Sequence, residues 1–159
     1  MTQRFVHRHL PYLLARASHA LWRGFEPRLR EAGLNSLDWR VLATLSDSAP
    51  LPVGQLAREV LAQQPTVTKT LDRLVAQGWV ERSADASDAR RARVALTAAG
   101  RAHVAPLLQA ADAHESMRLQ ALGAPEQARL RDWLQELVQH FDGQDEPADE
   151  AAATRRRRP

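Results

Sequence analysis

The histidines are the first candidates for chemistry in this chain. His7 and His9 stand near the start, and His103 and His114 are eleven positions apart. On one helix that is about 16 Å, too far to share a metal ion within one chain. No serine, histidine and acid fall at the spacing of a nucleophilic triad. Neither a glycine-rich phosphate loop nor a paired-carboxylate motif occurs at a recognisable interval. Cysteine is absent, which excludes disulfides, thiolate metal sites and thiol redox chemistry. The chain therefore reads as a non-enzyme with no cofactor and no metal site. What remains is charge and hydrogen bonding. Lys69, the only lysine, and Arg73, Arg82, Arg90, Arg91 and Arg93 follow or interleave with Gln64, Thr66, Thr68 and Thr70. Such donors suit phosphates and the acceptor-rich edges of bases.

The elements that would position these groups are legible. Leu56, Ala57, Val60 and Leu61 recur at helical spacing, and Val67, Leu71, Leu74 and Val75 do so again. Pro65 suits the first position of the second helix, and Gln64 before it is pushed out of helical geometry. The pattern predicts a helix–turn–helix whose second helix, about 13 residues long, ends at Gly78. Its solvent side carries Pro65, Thr66, Lys69, Asp72, Arg73 and Ala76. By itself that is also an ordinary solvated helix face. The next segment tips the balance. Trp79 to Ser83 and Arg93 to Leu96 read as strands, with Val80, Val94 and Leu96 facing inward. Arg90 and Arg91 lie near the tip of the joining loop and Arg93 beside it. Asp88 is placed to pair locally with Arg90 and shape the loop. A hairpin tipped with arginine directly after a helix–turn–helix is a wing, suited to a narrow, electronegative minor groove.

These pieces resemble the MarR family (multiple antibiotic resistance regulators). The matching residues are Val53-Gly54-Gln55-Leu56-Ala57, then Gln64-Pro65-Thr66-Val67-Thr68-Lys69, then Asp72-Arg73-Leu74 with Gly78-Trp79-Val80-Glu81-Arg82. The wing pattern Asp88-Ala89-Arg90-Arg91 then leads into Val94-Ala95-Leu96-Thr97-Ala98-Ala99-Gly100. The resemblance extends over roughly residues 8 to 141. It implies a homodimeric transcription regulator, most often a repressor, that binds double-stranded DNA at an inverted-repeat operator. The DNA-binding residues it implies are Gln64, Pro65, Thr66, Thr68, Lys69, Thr70, Arg73, Arg82, Asp88, Arg90, Arg91 and Arg93.

Family members also bind small anionic aromatics between the first two helices and the dimer helices. Arg16 to Trp22 and Asp38 to Leu42 look like segments of relatives that control aromatic-acid breakdown, some responding to acyl-coenzyme A thioesters. Arg40 could pair a carboxylate, Ser18 and His19 could hydrogen-bond, and Trp22 or Trp39 could stack. The other reading makes both tryptophans core and Arg40 a surface residue. Two rival functions stand beside the main one: a metal-responsive regulator of the same fold, and a ligand-binding dimer that has lost DNA binding.

The whole chain sets the frame. Its 159 residues make one domain by length. The net charge of +3 is misleading, because four positive charges are Arg155 to Arg158; the rest of the chain carries 18 basic and 19 acidic side chains. The case for DNA thus rests on where charge sits. No signal peptide or membrane-spanning run is evident, and a cytoplasmic protein is expected. Mainly α structure with a small β-wing follows: a winged helix–turn–helix lobe over about 36–97, and N- and C-terminal dimerisation helices over about 10–33 and 97–141. Residues 1–9 read as a flexible start and 142–159 as a disordered tail. Pro27 should break the first helix, Gly33 should end that region, and Asn35 should cap the next helix. Thr97 should cap the long helix after the wing, and Pro106 should bend it.

Overall fold

The computed structural model describes residues 4–84 and 92–155, with side chains as far as Phe141. The chain divides into two compact units, Met1–Ser116 and Met117–Pro159.

The first unit opens with a short 3-10 turn at Phe5–His7, where the sequence predicts only a flexible start. The Phe5 and His9 rings meet beside it at 4.9 Å. Helix α1 spans Leu10–Trp22 with Pro11 in its first turn, where a missing N–H costs nothing. None of its residues is buried. The chain breaks after Trp22 and resumes as α2, Glu26–Glu31, with Pro27 in the first turn, as the proline dictates. Helix α3, Ser36–Ser46, begins with a reciprocal cap. The Asn35 side chain accepts from the Leu37 and Asp38 N–H groups, and Asp38 Oδ2 accepts from the Asn35 N–H at 2.9 Å.

Strand β1 is Leu51–Pro52, helix α4 is Val53–Glu59 and helix α5 is Gln64–Ala76. Strands β2, Val80–Ala84, and β3, Ala92–Leu96, complete an antiparallel sheet of order β1-β3-β2. Val80 pairs with Leu96 and Arg82 with Val94, while Leu51 pairs with Val94 on the other edge. The third strand was not anticipated. Two residues ending in proline carry no alternation to detect, and only β3 alongside makes them a strand. Helix α6, Ala98–Leu119, continues through Pro106.

One core joins these elements. Phe25, Leu29, Leu42, Leu45, Leu56, Leu71, Leu74, Val80, Val94, Leu96 and Val104 are all buried in it. Two features position the wing against α5. Thr97 Oγ1 donates to the Gly78 carbonyl and accepts the Gly100 N–H at 2.9 Å. A Cβ at Gly100 would lie 2.0 Å from the Trp79 carbonyl oxygen, so only glycine fits there. The Leu-Thr-x-x-Gly segment is thus a core anchor, a cap and a backbone contact in sequence.

Three helices end in the same Schellman turn. At α2, Leu34 N–H donates to the Leu29 carbonyl, and at α5, Trp79 N–H donates to Leu74; Gly33 and Gly78 take the left-handed position, each with φ +74°. At α4, Ala62 N–H donates to Ala57, and the left-handed residue is Leu61, φ +53°. The periodicity had put Leu61 on the buried face of that helix. It is instead 83% exposed, because the helix stops at Glu59 and the left-handed turn swings its side chain outward.

In the second unit, α7 spans Ala124–Arg155. The Gln127 side chain donates to the Leu119 and Leu122 carbonyls, closing the turn before it. The helix runs on past Phe141, where a disordered tail was expected. Alanine, glutamate and glutamine beyond that point favour helix intrinsically, while Gly143 and Pro147 oppose it. Arg156, Arg157 and Arg158 lie outside the described residues.

Candidate nucleic-acid interface

Helix α5 divides along its length. Its first turns present Gln64, Pro65, Thr66 and Lys69 to solvent. No side chain caps its N-terminus, where Gln63 is extended. The helix starts at Gln64, one residue earlier than the proline rule suggests. The positive end of its dipole and the Gln64, Thr66 and Lys69 side chains therefore share one exposed surface. Thr68 is half-buried and donates its hydroxyl to the Gln64 carbonyl, which leaves it only acceptor capacity.

Two residues expected at the DNA contact have surroundings within the protein that the expectation did not include. Thr70 is only 8% exposed and is one of the buried residues of α5, with Val67, Leu71 and Leu74. It lies three residues after Val67 and four before Leu74, so the helical period itself places it on the core face. Arg73 was expected free on the solvent side. Its guanidinium Nη2 instead donates to Asp38 Oδ1, and that carboxylate is buried. In the sequence Asp38 is an acid three residues after the cap Asn35. Its second partner lies 35 positions away and leaves no local signal.

The base of the wing is similarly tied down. Arg82 pairs with Asp72 at 2.8 Å and reaches the Thr68 carbonyl at 3.4 Å, bracing β2 on α5. Arg93 donates to the Pro50 carbonyl at 2.9 Å, bracing β3 on the segment entering β1. Asp88, Arg90 and Arg91 lie outside the described residues.

The suspected ligand residues separate into two groups. Trp39 is buried, edge-on to Phe25 at 5.4 Å and 6.5 Å from Trp22. His114 of α6 joins this aromatic cluster, 5.8 Å from Phe25, with Nε2 2.9 Å from the Leu21 carbonyl. A side chain at Gly24 would collide with His114 Cε1 at 2.6 Å, so the glycine makes room for the ring. His114 had drawn notice only as a metal candidate. Arg40 is half-buried beside this cluster in sequence, and its Nε is buried without a hydrogen-bond partner. Ser18 and His19 are exposed on α1. Among the described residues no three histidine, aspartate or glutamate side chains gather where a metal could be held. None of the helices there is long and apolar enough to cross a membrane.

A helix–turn–helix whose second helix exposes its N-terminal half, followed by a β-hairpin that pairs with a short strand before it, defines a winged-helix DNA-binding protein. Comparison with known proteins carries this further. Residues 34–92 match the model of the MarR family. A MarR family transcriptional regulator from Silicibacter pomeroyi DSS-3 is 37% identical, with a TM-score of 0.77 over 87% of this chain and 99% of its own. NadR, solved in complex with 4-hydroxyphenylacetate, is 28% identical, with a TM-score of 0.78 over 86% of this chain and 97% of its own. The homoprotocatechuate degradative operon repressor of Escherichia coli is 28% identical over 97 residues, 61% of this chain and 66% of its own. The chain belongs to the MarR family of transcriptional regulators.

Proposed function

We propose that this protein is a homodimeric repressor, released from an inverted-repeat operator by a small aromatic acid or its acyl-coenzyme A thioester. The exposed N-terminal half of α5 carries the reading, with Gln64, Pro65, Thr66 and Lys69 on one face beside an uncapped helix end. A dimer would set two such helices into successive major grooves, about 34 Å apart, with each wing on a flanking minor groove. Apolar faces on the terminal helices support the dimer: Leu10 and Leu13 on α1, and Trp133, Leu134, Val138 and Phe141 on α7 are exposed.

The effector class is supported from two sides. NadR was solved with an aromatic acid, and the Escherichia coli relative is named as repressor of an operon that degrades one. In this chain Arg40 Nε is a buried donor with no acceptor, next to Trp39 of the aromatic cluster. A carboxylate would satisfy it. An effector shifts an equilibrium only by its differential affinity for the two states. Arg40→Ala should therefore bind DNA as the parent does but resist release. Losing a charged hydrogen bond should weaken ligand binding about ten- to hundredfold. The test titrates parent and variant, both bound to a duplex selected by the parent from a random pool, with aromatic acids and thioesters. Equal release curves would place the anion elsewhere. Failure of the variant to bind DNA without ligand would make Arg40 a structural residue.

A further inference from the structure

The Arg73 side chain belongs to the helix that enters DNA, yet its Nη2 donates to a buried carboxylate of the protein itself. Its partner Asp38 is 1% exposed and sits in the first turn of α3. Both carboxylate oxygens are used: Oδ2 accepts the Asn35 N–H, and Oδ1 accepts Arg73 Nη2. Each charge also lies at the helix end that favours it, Asp38 at the N-terminus of α3 and Arg73 in the last turn of α5. Drawing Arg73 away to a phosphate would leave a buried carboxylate held by one backbone N–H, and an unpaired buried charge is strongly disfavoured. The first turn of α3 is anchored from its other neighbours as well, since Trp39 packs on Phe25 and Trp22.

We infer that Arg73 is a positioning residue. Acting through Asp38, it fixes the pose of α5 relative to α3, and DNA contacts are left to the exposed first turns of α5. This rests on α5 being the helix that enters DNA. A residue that touches phosphate and one that only holds the helix differ in a measurable way. Each phosphate contact adds about one unit to the slope of log affinity against log salt, whereas a helix-positioning pair adds none.

The experiment measures affinity across a salt series for a duplex selected by the parent from a random-sequence pool. Asp38→Asn, Arg73→Gln and the double variant are compared, each checked by thermal melting to be folded at the assay temperature. Asparagine keeps an oxygen for the Asn35 N–H while removing the charge. Each single variant should bind about tenfold more weakly, the size expected for one charged hydrogen bond. The slope and preferred sequence should match the parent, and the double variant should be no weaker than the weaker single. The inference is overturned if Arg73→Gln flattens the slope by about one unit, or relaxes preference at one base position, while Asp38→Asn binds as the parent does. Should Asp38→Asn not fold, the slope of Arg73→Gln decides alone. A parent that selects no duplex would remove the DNA-binding reading, and with it the role given to this pair.

Discussion

Single residues carry two of the tightest constraints in this protein, and they act in opposite directions. At Gly100 the constraint is space. A Cβ would sit 2.0 Å from the Trp79 carbonyl oxygen, which is backbone and cannot swing aside. Gly100→Ala should cost about 3 kcal/mol, the upper end of overpacking effects, and should loosen the wing from α6. A denaturant midpoint equal to the parent's would show that the contact yields. At Leu61 the constraint is conformation. Its φ of +53° costs a leucine about 1–2 kcal/mol, and its exposed side chain has little burial to offset that. Gly33 and Gly78 hold the equivalent position in the other two turns. Leu61→Gly should therefore stabilise the chain, by about 0.5–1 kcal/mol once the greater freedom of unfolded glycine is allowed for. A fall in melting temperature would mean that the Leu61 side chain contributes something its exposure hides.

At the scale of the element, three arginines of α5 and the wing have partners within the protein. Arg73 is committed to Asp38, Arg82 to Asp72 and Arg93 to the Pro50 carbonyl. Arg90 and Arg91, which lie outside the described residues, are then the expected groove contacts. Arg90→Ala should lower operator affinity and flatten its salt dependence by about one log–log unit, with melting unchanged. An unaltered slope would remove Arg90 from the interface. The Arg82–Asp72 pair is partly exposed, so its worth in stability is about 0–1 kcal/mol; its value is the bracing of β2 on α5.

The molecule as a whole leaves large apolar side chains in water. On α7 alone, Leu130, Trp133, Leu134, Val138 and Phe141 are exposed, Trp133 at 62%. A contiguous patch of that kind marks an interaction surface, and in a two-fold dimer it would cover itself. Replacing Trp133 with aspartate places a charge in the patch. Sedimentation should then show a monomer, and affinity for a two-half-site duplex should fall because each half-site is bound alone. A Trp133→Asp chain that sediments as the parent does would put the interface elsewhere.

Locally encoded features were legible in the sequence. Pro27 ends α1, Asn35 and Asp38 cap α3, Gly33 and Gly78 close their helices, and Val80, Val94 and Leu96 face the core. Each depends on residues within about one or two turns, or on a period of 2.0 or 3.6, and such interactions are written in adjacent letters. Thr70 was legible too, by its spacing from Val67 and Leu74, but its hydroxyl drew it toward the DNA reading instead. The family followed from combining local signals at fixed intervals. Partners distant in sequence were decided only by the fold. Nothing near Arg73 announces Asp38, nothing near His114 announces the Leu21 carbonyl, and nothing in Leu51-Pro52 announces β3. A cation four residues beyond Lys69 reads as solvent-facing until the tertiary structure brings a buried carboxylate to it. At that point an unpaired charge costs more than a paired one, and a residue that reads as solvent-facing is paired within the protein.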